Sequence, residues 1–462
     1  MSARRSDARR LFLILCSCIL AMLAHPIALA QPAGADGLGD RLYPQLGNAG
    51  YDVQHYSINL AFTPERNFIS ATAVLQAVAL LDLASFNLDL YELTVESVRV
   101  NDQVAVFGRE HAELVISPAV SIPAGAAFQV TISYAGVPQP IADPAVPWLK
   151  LGWQEWANGY FAAVSQPSGS MNWFPCNNHP LDKASYSFRI TVPQGLTVVA
   201  NGVLSETIAK DDGTRVFLWE MEQPMASYLA LVAIGDFVAD RDDSALVPIR
   251  NYFPAGASDA SIAGYASTGD MMAWLSDLLG PYPFTEYGVV AVPGFPTALE
   301  AQSKSIFNTS GVDESVVLHE LLHQWFGNSV TLAHWSDIWL HEGFATYFIA
   351  LWRGKRLGAD AYSTFINALW TSGMALKAPG NPEKADLFSW SVYARGALVL
   401  HALRSEVGDE SFFKILRTFY RENAYGNVAT ADFIALAERL SDTELDDFFA
   451  AWLYGEPLPD LP

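Results

Sequence analysis

An α+β chain of two consecutive domains is what this sequence predicts: an N-terminal antiparallel β-sandwich-like domain, then a mainly α domain. Three observations carry that expectation. Short runs of β-branched and aromatic residues fill the first half, apolar residues at helical spacing fill the second, and the change of pattern falls near residues 236–243. At 462 residues, 51% apolar and 12% aromatic, the chain exceeds one ordinary domain and has ample material for a large core.

The first 30 residues read as a processing signal. Arg4, Arg5, Arg9 and Arg10 make a basic start, residues 11–24 are an apolar run, and Ala28-Leu29-Ala30 offers a small-x-small cleavage site. The run is short for a bilayer span, although an uncleaved anchor is the competing reading. Arg9-Arg10-Leu11-Phe12-Leu13 also resembles a twin-arginine signal. The protein is therefore expected to be exported, to the periplasm or the extracellular space, without stable membrane insertion after cleavage. Loss of four arginines and Asp7 takes the net charge from −22 to about −25. A field of that sign argues against nucleic acid as a partner. Cys16 and Cys18 leave with the signal, so Cys176 has no partner for an internal disulfide.

Residues 31–49 are polar and rich in Gly and Pro, and are expected to be a linker. From 50 to 238 the runs 56–62, 69–79, 93–100, 128–134 and 187–192 are punctuated by Gly, Pro, Asn and Asp, as packed antiparallel strands are. From 239 to 462 the pattern turns helical. Residues 258–279 carry helical spacing and stop at Gly280-Pro281, 288–292 read as one strand, and helices are expected over roughly 312–326, 336–353, 358–371, 391–406, 409–421, 430–440 and 442–453.

The chemistry sits in the second of these regions. In Val317-Leu318-His319-Glu320-Leu321-Leu322-His323 two histidines four apart share one helix face, so both imidazoles can reach one ion. Glu320 lies one step round, where it can face a water beside that ion. The bland reading is a pair of ordinary histidines on a buried helix. A third ligand is needed if the ion is zinc with an open position for water. Separated from His323 by eighteen residues, Glu342 stands in the apolar setting Trp339-Leu340-His341-Glu342-Gly343-Phe344-Ala345. A carboxylate buried there without a partner would be costly, which favours a ligand over a solvated helix residue.

The His-Glu-x-x-His pair with Glu-Gly-Phe-Ala-Thr-Tyr eighteen residues on resembles the aminopeptidase N family of zinc peptidases, which includes leukotriene hydrolase. The resemblance extends over residues 45–455 and takes in Tyr51-Asp52-Val53-Gln54-His55-Tyr56, Trp173-Phe174-Pro175-Cys176, His179-Pro180 and Asp182-Lys183-Ala184. It implies a thermolysin-like catalytic domain, one Zn2+ per chain on His319, His323 and Glu342, and Glu320 as the base that activates water. It also implies a short form without the large C-terminal helical domain. Ala298-Leu299-Glu300-Ala301 resembles the family's Gly-x-Met-Glu-Asn loop, which makes Glu300 the binder of the substrate's α-ammonium, with Gln166 beside it and Ala298 and Leu299 in the first substrate pocket. Here Thr297, Leu299 and Ala301 replace the family's glycine, methionine and asparagine. Tyr393-Ala394-Arg395-Gly396 resembles the Tyr-x-Lys/Arg-Gly segment whose tyrosine stabilises the oxyanion. By itself Tyr393 reads as a core tyrosine that begins a helix. Arg395 is expected to support structure, and Asp337 and Thr346 to orient metal ligands. The activity implied is removal of N-terminal residues from peptides with a free N-terminus. A thermolysin-like endopeptidase and a non-catalytic peptide-binding protein are the alternatives; an N-blocked peptide and a chelator separate the three.

Overall fold

The computed structural model describes residues 37–462 apart from Asn158, so the expected signal segment 1–30 lies outside the described residues. Up to Gly235 the chain is almost wholly β structure. An eight-stranded sheet runs in the order Val203–Ala209, Thr214–Ala226, Lys183–Pro193, Tyr51–Thr63, Phe68–Ala79, Ala127–Gly136, Thr94–Val100, Gln103–Val104. In Tyr51–Thr63 nearly every second side chain is buried, as a sheet with one face on a core requires. Tyr56 and Tyr186, paired across neighbouring strands, stack with ring centroids 4.8 Å apart. Trp173 and Phe174 close over this face, and both are fully buried.

One pairing departs from the antiparallel expectation. Tyr51–Thr63 runs parallel to Lys183–Pro193, in register from His55 with Ser185 to Ala61 with Thr191. The alternation of a half-buried strand is the same for either direction, so the sequence pattern does not distinguish them. A second, five-stranded sheet contains Tyr160–Val164, which ends two residues before Gln166.

The sheet membership changes between Gly235 and Phe237. Phe237–Asp242, Ile249–Pro254, Gly288–Ala291, Lys304–Phe307 and Ala298–Leu299 form a sheet of their own, in that order. Sequence periodicity finds only the strand at 288–292. Two of the others hold four residues or fewer and lie between loops, too short for alternation to register. Ala298–Leu299 is the edge strand, and Glu300 follows it directly.

The helices are α1 (Asp259–Ala263), α2 (Thr268–Leu279), α3 (Glu314–Leu322), α4 (Trp339–Leu357), α5 (Ala359–Thr371), α6 (Trp390–Asn423), α7 (Thr430–Ser441) and α8 (Asp446–Phe449). The expected helix over 258–279 is thus two. The stretches 391–406 and 409–421 meet in α6 at Gly408, whose φ of 77° and ψ of 162° break the helical path. Beyond α8 the chain continues as a π-helical turn, Ala450–Tyr454. Arg395 is completely buried and donates to the carbonyls of Leu376, Ala451, Trp452 and Gly455, tying α6 to this C-terminal turn.

Helices α4 and α6 cross at glycine on glycine. A Cβ on Gly343 would lie 2.7 Å from the Gly396 Cα, and one on Gly396 would lie 2.8 Å from the Gly343 Cα. The obstacle in each case is helix backbone, which cannot rotate aside. Gly396→Ala gains about 1 kcal/mol of helix propensity but overpacks the crossing, at a cost of about 1–3 kcal/mol. The net loss of up to about 2 kcal/mol should lower the thermal unfolding midpoint by about one to two degrees in a chain of this size; a raised midpoint would show that the helices can separate freely.

The stretch expected to be a linker is packed from residue 37 onward. Asp40, Leu42, Tyr43, Leu46 and Asn48 are all buried. Its Gly and Pro content excludes regular structure but not burial, because the Asp40 carboxylate satisfies the backbone N–H groups of Leu42 and Tyr43 at 2.7 and 3.1 Å.

Candidate active site

Helix α3 begins at the N-cap Asp313, whose side chain accepts from the Ser315 N–H, and carries His319 and Glu320 on its last turn. His323 is its C-cap. Glu342 enters from the first turn of α4. The His319 Nε2 lies 3.2 Å, and the His323 Nε2 3.4 Å, from the same Glu342 carboxylate oxygen. One ligand atom from each residue lies within 4.8 Å of the other two.

Three observations test whether this trio fits zinc. Two imidazole nitrogens and one carboxylate oxygen are a donor set of the right type and number, with room for a fourth ligand. The His323 Nδ1–H donates to the Phe326 carbonyl at 3.1 Å, which fixes the tautomer and leaves Nε2 free for a metal. Burial alone would strip the proton from His323, yet the carboxylates of Glu342, Glu300 and Glu320 outweigh it and push the imidazole up to about 10. Against the upward pull of burial, His323 and His319 in turn hold Glu342 below the usual carboxylate range. A buried site so rich in negative charge favours a cation. The residues fit the metal.

Glu320 is 5% exposed, and its Oε2 is buried without a hydrogen-bond partner among the described residues. Burial pushes its carboxyl well up, opposed by His323 and reinforced by Glu300 and Glu342. An orphaned carboxylate oxygen beside a metal trio is where a proton acceptor for water belongs. The Tyr393 ring stacks on His319 at 5.9 Å and 16°. Tyr393 lies in the first turn of α6, which begins at Trp390, one residue before the expected start.

Glu300 is 3% exposed and accepts from the Gln166 Nε2 at 2.6 Å. The Asn328 Nδ2 donates to the Glu300 carbonyl at 2.6 Å, and the Asn328 carbonyl accepts from Lys183 at 3.2 Å. Lys183 also donates to the Ser329 carbonyl at 2.9 Å. The β region thereby grips the turn that follows His323, a function of Lys183 and Asn328 that no spacing in the sequence announces. All the expected site residues line one cavity of about 540 Å3: His319, Glu320, His323, Glu342, Tyr393, Glu300, Gln166, Ala298 and Leu299. Sequence reasoning missed its apolar walls, the segment with Val146, Trp148 and Leu149 and the segment with Phe388 and Trp390. Of these only Trp390 carried a signal, three residues before Tyr393 on one helix.

Asp337 does not orient a metal ligand through the bonds it makes. It accepts from the backbone N–H and hydroxyl of Thr430, at 3.2 and 2.7 Å, and so anchors the start of α7. Thr346 is buried one turn beyond Glu342.

Comparison with known proteins bears on this arrangement. Residues 53–229 match the Peptidase M1 N-terminal domain and residues 265–452 the Peptidase family M1 domain. Among curated relatives, aminopeptidase N of Streptomyces lividans is 28% identical over 308 residues, 59% of this chain and 35% of that protein. Aminopeptidase M1 of Arabidopsis thaliana is 28% identical over 330 residues, 64% of this chain and 37% of that protein. The chain spans little more than a third of the length of these relatives. A crystal structure of an M1 zinc metallopeptidase from Deinococcus radiodurans is similar over nearly its entire length: 30% identity, a TM-score of 0.86, and 92% of this chain against 99% of that one. The same enzyme has been solved, as a mutant, with the substrate Tyr-Ser-Ala. With a β-rich domain, a helical domain after it and the metal trio between α3 and α4, this chain belongs to the M1 family of zinc metallopeptidases.

Proposed function

We propose that this protein is a zinc-dependent aminopeptidase that hydrolyses the N-terminal residue from peptides. The observation that carries the reading is the buried Gln166–Glu300 pair in the same cavity as His319, His323 and Glu342. An endopeptidase has no use for a buried carboxylate held in place in the cavity of its metal ligands, whereas an exopeptidase needs a fixed anion to receive an ammonium group. Gln166 holds the Glu300 side chain in one orientation and leaves its second oxygen for the substrate amine.

Zinc held by His319, His323 and Glu342 would supply Lewis-acid polarisation of the attacking water and of the peptide carbonyl. The rest is performed by side chains. Glu300 sets the register, so that the first peptide bond is the one presented. The edge strand Ala298–Leu299 offers unpaired backbone groups along which an extended peptide can lie. Glu320 accepts a proton from the attacking water and returns it to the leaving nitrogen. The Tyr393 hydroxyl, pushed well up by burial and by the surrounding carboxylates, remains protonated and donates to the developing oxyanion. Export by the basic and apolar N-terminal segment belongs to the same proposal, supported by the sequence of residues 1–30.

The direct test compares one peptide with a free and with an acetylated N-terminus. The free peptide should lose its first residue, and acetylation and chelation should each abolish cleavage. Undiminished cleavage of the acetylated peptide would sink the exopeptidase reading and favour the endopeptidase.

A further inference from the structure

Residues 40–43 precede the residues matched to the N-terminal domain, yet Asp40, Arg41 and Tyr43 bond to segments that lead to or border the cavity. The Asp40 Oδ2 accepts from the Trp335 N–H at 2.7 Å, at the head of the turn that leads into α4 and Glu342. The Tyr43 hydroxyl donates to the Asp143 Oδ1 at 3.0 Å. Asp143 in turn accepts from the Ala145 N–H at 2.9 Å and from the Ser168 hydroxyl at 2.6 Å. That one carboxylate therefore fixes the loop carrying the wall residues Val146 and Leu149, and the turn two residues beyond Gln166. At a second segment, Arg41 donates to the Asn381 side chain at 2.7 Å and to the Pro382 carbonyl at 2.6 Å. The Lys384 ammonium sits 3.8 Å from the centroid of the Tyr43 ring, next to Ala385 and four residues before Phe388.

We infer that Asp40–Tyr43 is a positioning strap that fixes the lining of the substrate cavity by tying the 143–149 wall to the 381–390 wall. Tyr43 touches both segments and Arg41 holds the second, and the bonds are made by side chains rather than by a shared sheet or helix. None of the four residues lines the cavity, so the strap acts through the walls. It governs how tightly a substrate is held and leaves the hydrolytic step alone. The effect on substrate binding rests on the aminopeptidase reading above, whereas the effect on the walls does not.

The test uses the full chain and three variants. Tyr43→Phe removes the hydroxyl that holds Asp143 and keeps the ring under Lys384. Arg41→Ala releases the other wall, and because Arg41 is exposed its loss leaves the core intact. Tyr51→Phe is the control: its hydroxyl is equally buried and donates to the Asn87 carbonyl at 2.7 Å, within the β region. Hydrogen–deuterium exchange should quicken over 143–149 in Tyr43→Phe and over 381–389 in Arg41→Ala, and over neither in Tyr51→Phe. On an unblocked peptide, KM should rise roughly three- to ten-fold in Tyr43→Phe, the range one lost buried hydrogen bond spans, and by a smaller factor in Arg41→Ala, with kcat within two-fold of the parent in both. Unchanged exchange in both walls, an equal KM rise in Tyr51→Phe, or a fall in kcat at constant KM would each overturn the strap. Failure of the parent protein to cleave any unblocked peptide would instead refute the aminopeptidase reading, and the exchange measurement would still decide the strap.

Discussion

Glu320→Gln should abolish most turnover while the protein keeps its zinc. Glu320 is not one of the three residues whose ligand atoms meet at the Glu342 carboxylate, so the metal should stay at one per chain by elemental analysis. Glutamine keeps the volume and the packing on α3, and removes only the ability to take a proton. Loss of a positioned general base costs roughly 10²–10⁴-fold in rate, and kcat should fall by that factor with KM little changed. The geometry leaves little room for substitution by a neighbour. Glu300 is the other free carboxylate in the cavity, but it is engaged with Gln166 at 2.6 Å. Near-normal turnover in Glu320→Gln would remove the residue from the mechanism, and loss of zinc would make it a ligand instead.

The trio was legible in the sequence because local geometry fixes it. Four residues make one helical turn, so His319 and His323 had to share a face wherever α3 packed. Glu342 was nearly as accessible, since eighteen intervening residues suffice for a turn, a short crossing and the opening of a second helix. Glu300, Gln166 and Tyr393 were named by resemblance, and the structure brings all three to the cavity. What sequence pattern could not supply depends on contacts between residues far apart in the chain. Lys183 meets the turn after His323 across 145 positions, and Asp40 meets Trp335 across 295. No periodicity encodes such pairs. The parallel pairing of Tyr51–Thr63 with Lys183–Pro193 was hidden for the same reason. The segment 37–48 was read as a linker because its composition forbids helix and strand, while its burial comes from side-chain acceptors on residues such as Asp40, Asp89 and Asn177. Asp337 shows the converse failure: its place in the motif pointed to the metal, and its bonds go to Thr430.

Tyr393→Phe should lower kcat by roughly 10²–10³-fold, the loss found when one donor to an oxyanion is removed. The KM should stay close to the parent value, because the hydroxyl is needed when the carbonyl oxygen becomes charged, not before. The packing that positions the hydroxyl should survive the change. The ring rests against His319 at 5.9 Å and against Trp390 at 5.7 Å, and phenylalanine retains both contacts. The alternative role, a core tyrosine whose hydroxyl merely satisfies a neighbour, predicts something different. Burial and the carboxylates of Glu342, Glu300 and Glu320 all keep the phenol protonated, and of these Glu342 is the one that accepts a hydrogen bond from it. Were that bond only structural, its loss would loosen Glu342, weaken zinc and raise KM along with any fall in kcat. A fall in kcat alone, at full zinc content, separates the two roles. An unaltered kcat would disqualify Tyr393 as the donor and return the task of stabilising the oxyanion to the metal alone.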